Sequence, residues 1–200
     1  MKESIIIISF FVVGLFLGRL NLLPTTLVEN DFSIYALYVL MLLVGISIGA
    51  DKEAIRAIRK LSLKIFLIPL GTIVGTLIGV YLISFFIHNR SVTECLAIGS
   101  GFGYYSLSSI FITEYKGPEL GVVALMSNII RELFTLLLAP LLVMWFGKLA
   151  PISAGGATTM DTTLPIITKF SGKEFVVIAI THGILVDFSV PFLVTFFCKI

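Results

Sequence analysis

A few polar side chains stand where a very apolar sequence has no ordinary use for them. Glu132 lies near the middle of the run from Glu119 to Phe146, which at ~1.5 Å per residue places it close to the midplane of a bilayer-length helix. A charge at that depth costs at least ~2.5–3.5 kcal/mol, so it is kept for a reason. Asn128, Glu132 and Thr135 follow i, i+4, i+7 and share one face of that helix. Arg131 is adjacent, about 100° around the axis. It either holds an anionic group or ties down loose backbone carbonyls. The stretch GGATTMDTTLP, Gly155 to Pro165, is a second anomaly. Two glycines, a proline and four threonines make a poor helix around Asp161. Unwound backbone there offers carbonyls, Thr158, Thr159, Thr162 and Thr163 offer hydroxyls, and half-helix ends add fixed dipoles. Carboxylates in such surroundings bind and release a cation. His182 and Asp187 share the last apolar run. Five residues apart, they point about 140° away from each other, so they are not a natural dyad. Each is a candidate proton relay or a helix-packing contact.

The elements that must position these groups belong to a membrane. The chain has 200 residues, of which 58% are hydrophobic and 13% charged, and its mean hydropathy is +1.08. Soluble domains carry about 25% charged residues. The expected fold is therefore an all-α polytopic membrane protein of five to six segments, two of them broken or re-entrant. It forms one transport domain over residues 1–200. The net charge of +2 matters only through its distribution among loops. Cys95 and Cys198 lie in separate apolar segments and read as unpaired thiols. Clustered Cys and His at ligand spacing are missing from the sequence, so no metal is expected, nor a cofactor or nucleic acid.

Helices are expected at about 4–20, 32–50, 65–87, 119–146 and 174–198, with a broken segment at 94–115 and an irregular one at 150–170. The N-terminal run reads as a retained first helix, because Arg19 closes it without a small-residue cleavage site. Gly14 and Gly18, Gly45 and Gly49, and Gly71, Gly75 and Gly79 are four residues apart. That spacing gives flat faces for close helix packing. Gly99, Gly101 and Gly103 interrupt the fourth segment, and irregular backbone at membrane depth is tolerated only inside protein or along a cavity. The loop holding Lys52, Arg56, Arg59, Lys60 and Lys64 is expected in the cytoplasm. If segment 94–115 re-enters rather than crosses, Lys148, Lys169 and Lys173 fall on that same side. This arrangement, with the N-terminus inside and the C-terminus outside, obeys the positive-inside bias better than a full crossing does.

Enzyme readings fail on their motifs. An intramembrane serine protease needs G-x-S-G, and Ile98-Gly99-Ser100-Gly101 lacks the first glycine. An intramembrane aspartyl protease needs Gly-x-Gly-Asp. Asp161 follows Thr158-Thr159-Met160 instead, and Asp187 follows Ile184-Leu185-Val186. No strand pattern makes GSGFG a dinucleotide loop. The residues point to a secondary transporter for a cationic solute, with a cation channel as the alternative.

Three stretches, GFGYYSLSSIFI, GPELGVVALMSNIIRELFTLLLAPLL and GGATTMDTTLPII with HGILVDFSVPFL further on, resemble the LysO-type lysine exporter family of prokaryotic inner-membrane proteins. The likeness is strong over about residues 98–197 and looser before them. It implies multi-pass localisation in the plasma membrane and export of L-lysine and its analogue thialysine, driven by proton exchange. It further implies that intramembrane acids take part, with Glu132 and Asp161 at the matching motif positions. Another cationic amino acid is the alternative cargo. Longer members carry further membrane helices ahead of this region. A homodimer or a separate small membrane partner chain is therefore expected. An acid screened from water holds either a proton or a cationic group, and competition between the two is the simplest antiport scheme.

Overall fold

The computed structural model describes residues 63–200 continuously, and before them only Val13, Phe16, Leu17, Arg19, Leu20, Tyr35, Val39, Leu42 and Ile46. The helices expected at 4–20 and 32–50, the glycine pairs within them, and the basic loop up to Lys60 lie outside the described residues. The chain divides into two compact units, Met1–Val44 and Gly45–Ile200. Described positions of the first unit are helical except for a turn at Leu20. The second unit holds the continuous stretch 63–200.

The regular elements described in the second unit are all helical, joined by short turns. A 3-10 turn at Leu63–Phe66 leads into α1 (Leu67–Ser84). Then come α2 (Val92–Gly99), α3 (Tyr105–Lys116), α4 (Pro118–Phe146), α5 (Ala150–Gly155), α6 (Leu164–Ser171) and α7 (Val176–Lys199). Two more 3-10 turns, Gly156–Met160 and Lys173–Phe175, follow α5 and precede α7. Three stretches are long and apolar enough to cross a membrane: Leu67–Ser84, Pro118–Phe146 and Lys173–Lys199. They agree to within a few residues with the helices expected from hydropathy.

Local chemistry sets the boundaries. Ser91 opens α2 with a reciprocal cap: its hydroxyl accepts from the Glu94 N–H at 3.1 Å, and the Glu94 carboxylate accepts from the Ser91 N–H at 2.8 Å. α3 stops at Gly117, whose φ of +94° a Cβ would resist, and Pro118 starts α4 in its first turn. The Gly99–Gly103 interruption is a real gap of turns between α2 and α3. The region around residues 150–170 is more ordered than its composition suggests. Short helices flank one 3-10 turn, because Thr158 and Thr159 bond back to the carbonyls three residues earlier at 2.9 and 2.8 Å.

The polarity of the bundle is inverted relative to a soluble protein. α4 turns Ile130, Phe134 and Leu137 outward, while Ala124, Asn128, Glu132 and Thr135 are buried. α7 turns Phe188, Phe192 and Phe196 outward and buries Ala179, His182, Asp187 and Val194. Apolar side chains facing out and polar ones facing in suit a hydrocarbon surround. Both interrupted segments have their two ends side by side. Arg90, before α2, pairs with Glu119, just after α3. Lys148, before α5, pairs with Glu174, just after α6, at 3.1 Å. Among the described residues nothing lies within 4 Å of a Cβ built on Gly71, Gly75 or Gly79. Gly71 and Gly75 instead line an open recess of about 330 Å³ with Thr72, Thr76, Ser153 and Ala154.

Candidate functional site

The two interruptions meet. The Ala157 N–H donates to the Phe102 carbonyl at 2.9 Å, so the break after α2 and the break after α5 touch inside the bundle. Phe102 holds a φ of +46°, and Gly156 one of +63°. A Cβ on Gly156 would run into the Phe102 carbonyl oxygen. Glycine is required there because the other backbone is the neighbour.

α4 and α7 brace this junction from either side. The Asn128 side chain accepts from the Gly103 N–H at 2.7 Å and donates to Ser108 Oγ at 3.2 Å and to the Ala124 carbonyl at 2.8 Å. Gly183 of α7 sits against the Met160 nitrogen and the Ala157 carbonyl, where a Cβ would come within 2.7 and 3.0 Å. Arg131 stands behind the second break. Its Nε donates to the Ala154 carbonyl at 2.8 Å and an NH2 group to the Ser153 carbonyl at 3.1 Å, with Thr76 Oγ1 at 3.4 Å and the Phe102 ring 5.9 Å away. Of its two sequence readings, the tie to loose carbonyls is the one this geometry displays. A cation at a helix carboxy end also opposes the dipole of α5.

Glu132 is 2% exposed, on the same buried face as Asn128 and Thr135. The Thr135 hydroxyl turns back to the Arg131 carbonyl at 3.0 Å. Asp187 is 3% exposed, and its Oδ1 has no hydrogen-bond partner among the described residues. It lies within charge–charge range of Asp161, and the Tyr104 phenol is in range of both acids. Asp161 closes the 3-10 turn and accepts from the Thr162 N–H. It is exposed on the surface of the described fold. The acids are thus unequally placed: two buried on long helices, one exposed.

The threonines around Asp161 divide. Thr158 is committed to the Gly155 carbonyl and the Thr163 hydroxyl, the latter at 3.3 Å. Thr162 Oγ1 is buried and has no hydrogen-bond partner among the described residues. His182 is 1% exposed and held at both nitrogens, with Thr72 Oγ1 2.9 Å from Nε2 and Thr159 Oγ1 3.2 Å from Nδ1. It links α1, α7 and the 3-10 turn. Tyr104 and Thr72 did not emerge from the sequence as site residues. A tyrosine directly after alternating glycines was the available signal for the first, and Thr72 carried none. Cys95 and Cys198 are both free and buried, as unpaired apolar thiols.

The family model for the lysine exporter LysO matches residues 8–198. The chain belongs to this lysine exporter family. A lysine exporter LysO of Escherichia coli strain K12 is 35% identical over 195 residues, covering 98% of this chain and 64% of that protein. A putative lysine exporter of Haemophilus influenzae is 34% identical over 168 residues, covering 84% of this chain and 85% of that one. The chain thus spans about two thirds of the length of the E. coli relative. No solved structure matches it. The family is one of transporters, not of enzymes.

Proposed function

We propose that this chain exports L-lysine, and its analogue thialysine, across the prokaryotic plasma membrane by exchange for protons. The observation that carries the reading is the meeting of two interrupted helical segments inside an apolar bundle, with Glu132 and Asp187 buried on the helices that brace them. Family membership supports lysine as the cargo. Lysine presents two ammonium groups and one carboxylate. Glu132, Asp161 and Asp187 offer sites for the ammoniums, and the exposed Asp161 is suited to first contact. The carboxylate is left to backbone N–H groups at the breaks, since the Arg131 guanidinium is occupied by carbonyls. Thr162 Oγ1 is the hydroxyl left for substrate. Thr158 and His182 hold the architecture and Asn128 positions the first break.

The topology that fits best is re-entrant for both interrupted segments. The Arg90–Glu119 and Lys148–Glu174 pairs support it, because each draws the start and end of one segment to the same side. The charge bias of the loops supports it independently. The glycine face of α1, open among the described residues, suits a partner helix from a second copy or a separate membrane chain.

The test is export of labelled lysine from cells lacking their own exporter, with this chain expressed alone beside Glu132→Gln and Asp161→Asn. Export by the parent and at least a tenfold loss in each variant is expected. Full proton-coupled export in both variants would end the exchange mechanism. A flux that neither saturates with lysine nor moves protons would favour a channel.

A further inference from the structure

Residues 90–146 and 148–199 repeat one pattern at a nearly fixed offset. Each half starts with a basic residue, then a short helix, a break, a second short helix, a glycine and a long helix: α2, α3 and α4 in one, α5, α6 and α7 in the other. The glycines, Gly117 and Gly172, are 55 residues apart and share a backbone conformation, with φ and ψ of 94° and 164° in one and 112° and 157° in the other. Glu119 and Glu174 stand at the same offset, and each pairs with the basic residue that opens its own half. So do Ala124 and Ala179, both wholly buried. So do Asn128 and Gly183, each of which meets its own half's break.

The packing is reciprocal as well. α4 rests on α5 as α7 rests on α2, and α7 rests on α3 as α4 rests on α6. Reciprocal contacts of this kind are what a two-fold relation generates. Groups near such an axis touch their own counterparts. Phe102 and Ala157, 55 residues apart, share the hydrogen bond that joins the breaks. Gly103 lies against Thr158, again its counterpart, with a Cβ position 3.4 Å from Thr158 Cγ2. Each half contributes one membrane-length helix, and with a single crossing per half the second copy is turned over relative to the first.

Glu132 and Asp187 occupy the same offset, on the same face of their helices, and are 2% and 3% exposed. We propose that the two halves are inverted copies of one transport half and that Asp187 is the counterpart of Glu132, a second carboxylate that takes the exchanged cation. An Oδ1 with no hydrogen-bond partner among the described residues, on a side chain so fully buried and in range of Asp161 and Tyr104, fits a group waiting for such a cation. The repeat stands on geometry alone, and the role of Asp187 rests on the export reading.

A hydrophobic carbodiimide, which modifies protonated carboxyls shielded from water, tests both on the full chain in liposomes. Adducts on the peptides carrying Glu132 and Asp187, each formed at least threefold more slowly with saturating L-lysine, are expected. Asp187→Asn should lose its own adduct, keep that of Glu132 and export lysine at least tenfold more slowly, with Asp187→Glu restoring export. A lysine-protected Glu132 beside an Asp187 that ignores lysine would overturn the proposal. So would Asp187→Asn exporting at the parental rate. If lysine protects neither acid while another cation protects both, the pairing of the acids holds and the lysine reading falls.

Discussion

Asn128 offers the sharpest test of how the first break is held. Replacing it with leucine keeps the volume nearly constant and removes every polar contact. The Gly103 N–H loses its acceptor at 2.7 Å, and a buried donor left unsatisfied costs about 1–3 kcal/mol. The Ala124 carbonyl and Ser108 Oγ lose a bond each. Ser108 keeps its bond to the Tyr104 carbonyl at 2.7 Å, so these losses add only about 0.5 kcal/mol apiece. The sum is roughly 2–4 kcal/mol, which at about 2–4 °C per kcal/mol for a chain of this size lowers Tm by roughly 5–15 °C. Thermal unfolding of the detergent-purified protein reads this directly. Asn128→Asp separates the components, since it keeps the acceptor for Gly103 and loses both donors. It should restore the anchoring of the break, though an added buried charge costs stability elsewhere. A melting point for Asn128→Leu within 2 °C of the parent would refute the claim that this side chain secures the interruption.

Four further outcomes follow from the same geometry. Gly156→Ala forces a Cβ into the Phe102 carbonyl at a φ of +63°, so membrane abundance by immunoblot should fall several-fold, whereas Gly79→Ala, in open space among the described residues, should leave it unchanged. Arg131→Met strips the Ala154 and Ser153 carbonyls of a charged donor and should cost about 2–4 kcal/mol in thermal unfolding, the relief of burying a cation being included. Arg131→Lys should recover less than half, because one ammonium does not reproduce a fork aimed at two carbonyls. His182→Gln, which keeps a polar side chain between Thr72 and Thr159, should preserve the pH profile of export, and a profile displaced by a full unit would restore His182 as a proton relay.

Hydropathy and helical spacing made much of this fold legible. The three long helices stand where apolar runs and their Gly and Pro punctuation put them, and the buried stripe of Asn128, Glu132 and Thr135 follows from the 3.6-residue period alone. The dual reading of Arg131 was also available, since an arginine beside broken helices has few other acceptors. What escaped was tertiary. Composition marked Gly155–Pro165 as a poor helix with unwound backbone, yet threonine hydroxyls returning to their own backbone accompany a 3-10 turn over Gly156–Met160. Asp161 was expected among unwound backbone as a carboxylate of the transport site, and its side chain is exposed in the described fold. One-dimensional spacing cannot tell which side of a turn faces inward. The likeness of the two halves was equally hidden, because it survives in glycine conformation, ion pairs and packing partners rather than in runs of identical residues.

The differences between the halves bear on coupling as much as their likeness does. At the position where the first half carries Arg131 the second carries Val186, so one break has a built-in guanidinium and the other has none. Among the described residues the bundle holds two buried acids, Glu132 and Asp187, against one half-buried guanidinium, that of Arg131. With both acids ionised, these three described groups sum to one negative charge. Such a charge is costly away from water, by several kcal/mol even after relaxation. Under the proposed exchange a proton or a lysine ammonium would cancel it, leaving the occluded bundle neutral when it carries either one and strained when it carries neither. Under the proposed exchange this charge balance is what prevents the empty protein from changing sides. Val186→Arg should accordingly abolish exchange while leaving the chain inserted, and lysine-stimulated proton flux from Val186→Arg liposomes at the parental rate would show that the balance is set elsewhere.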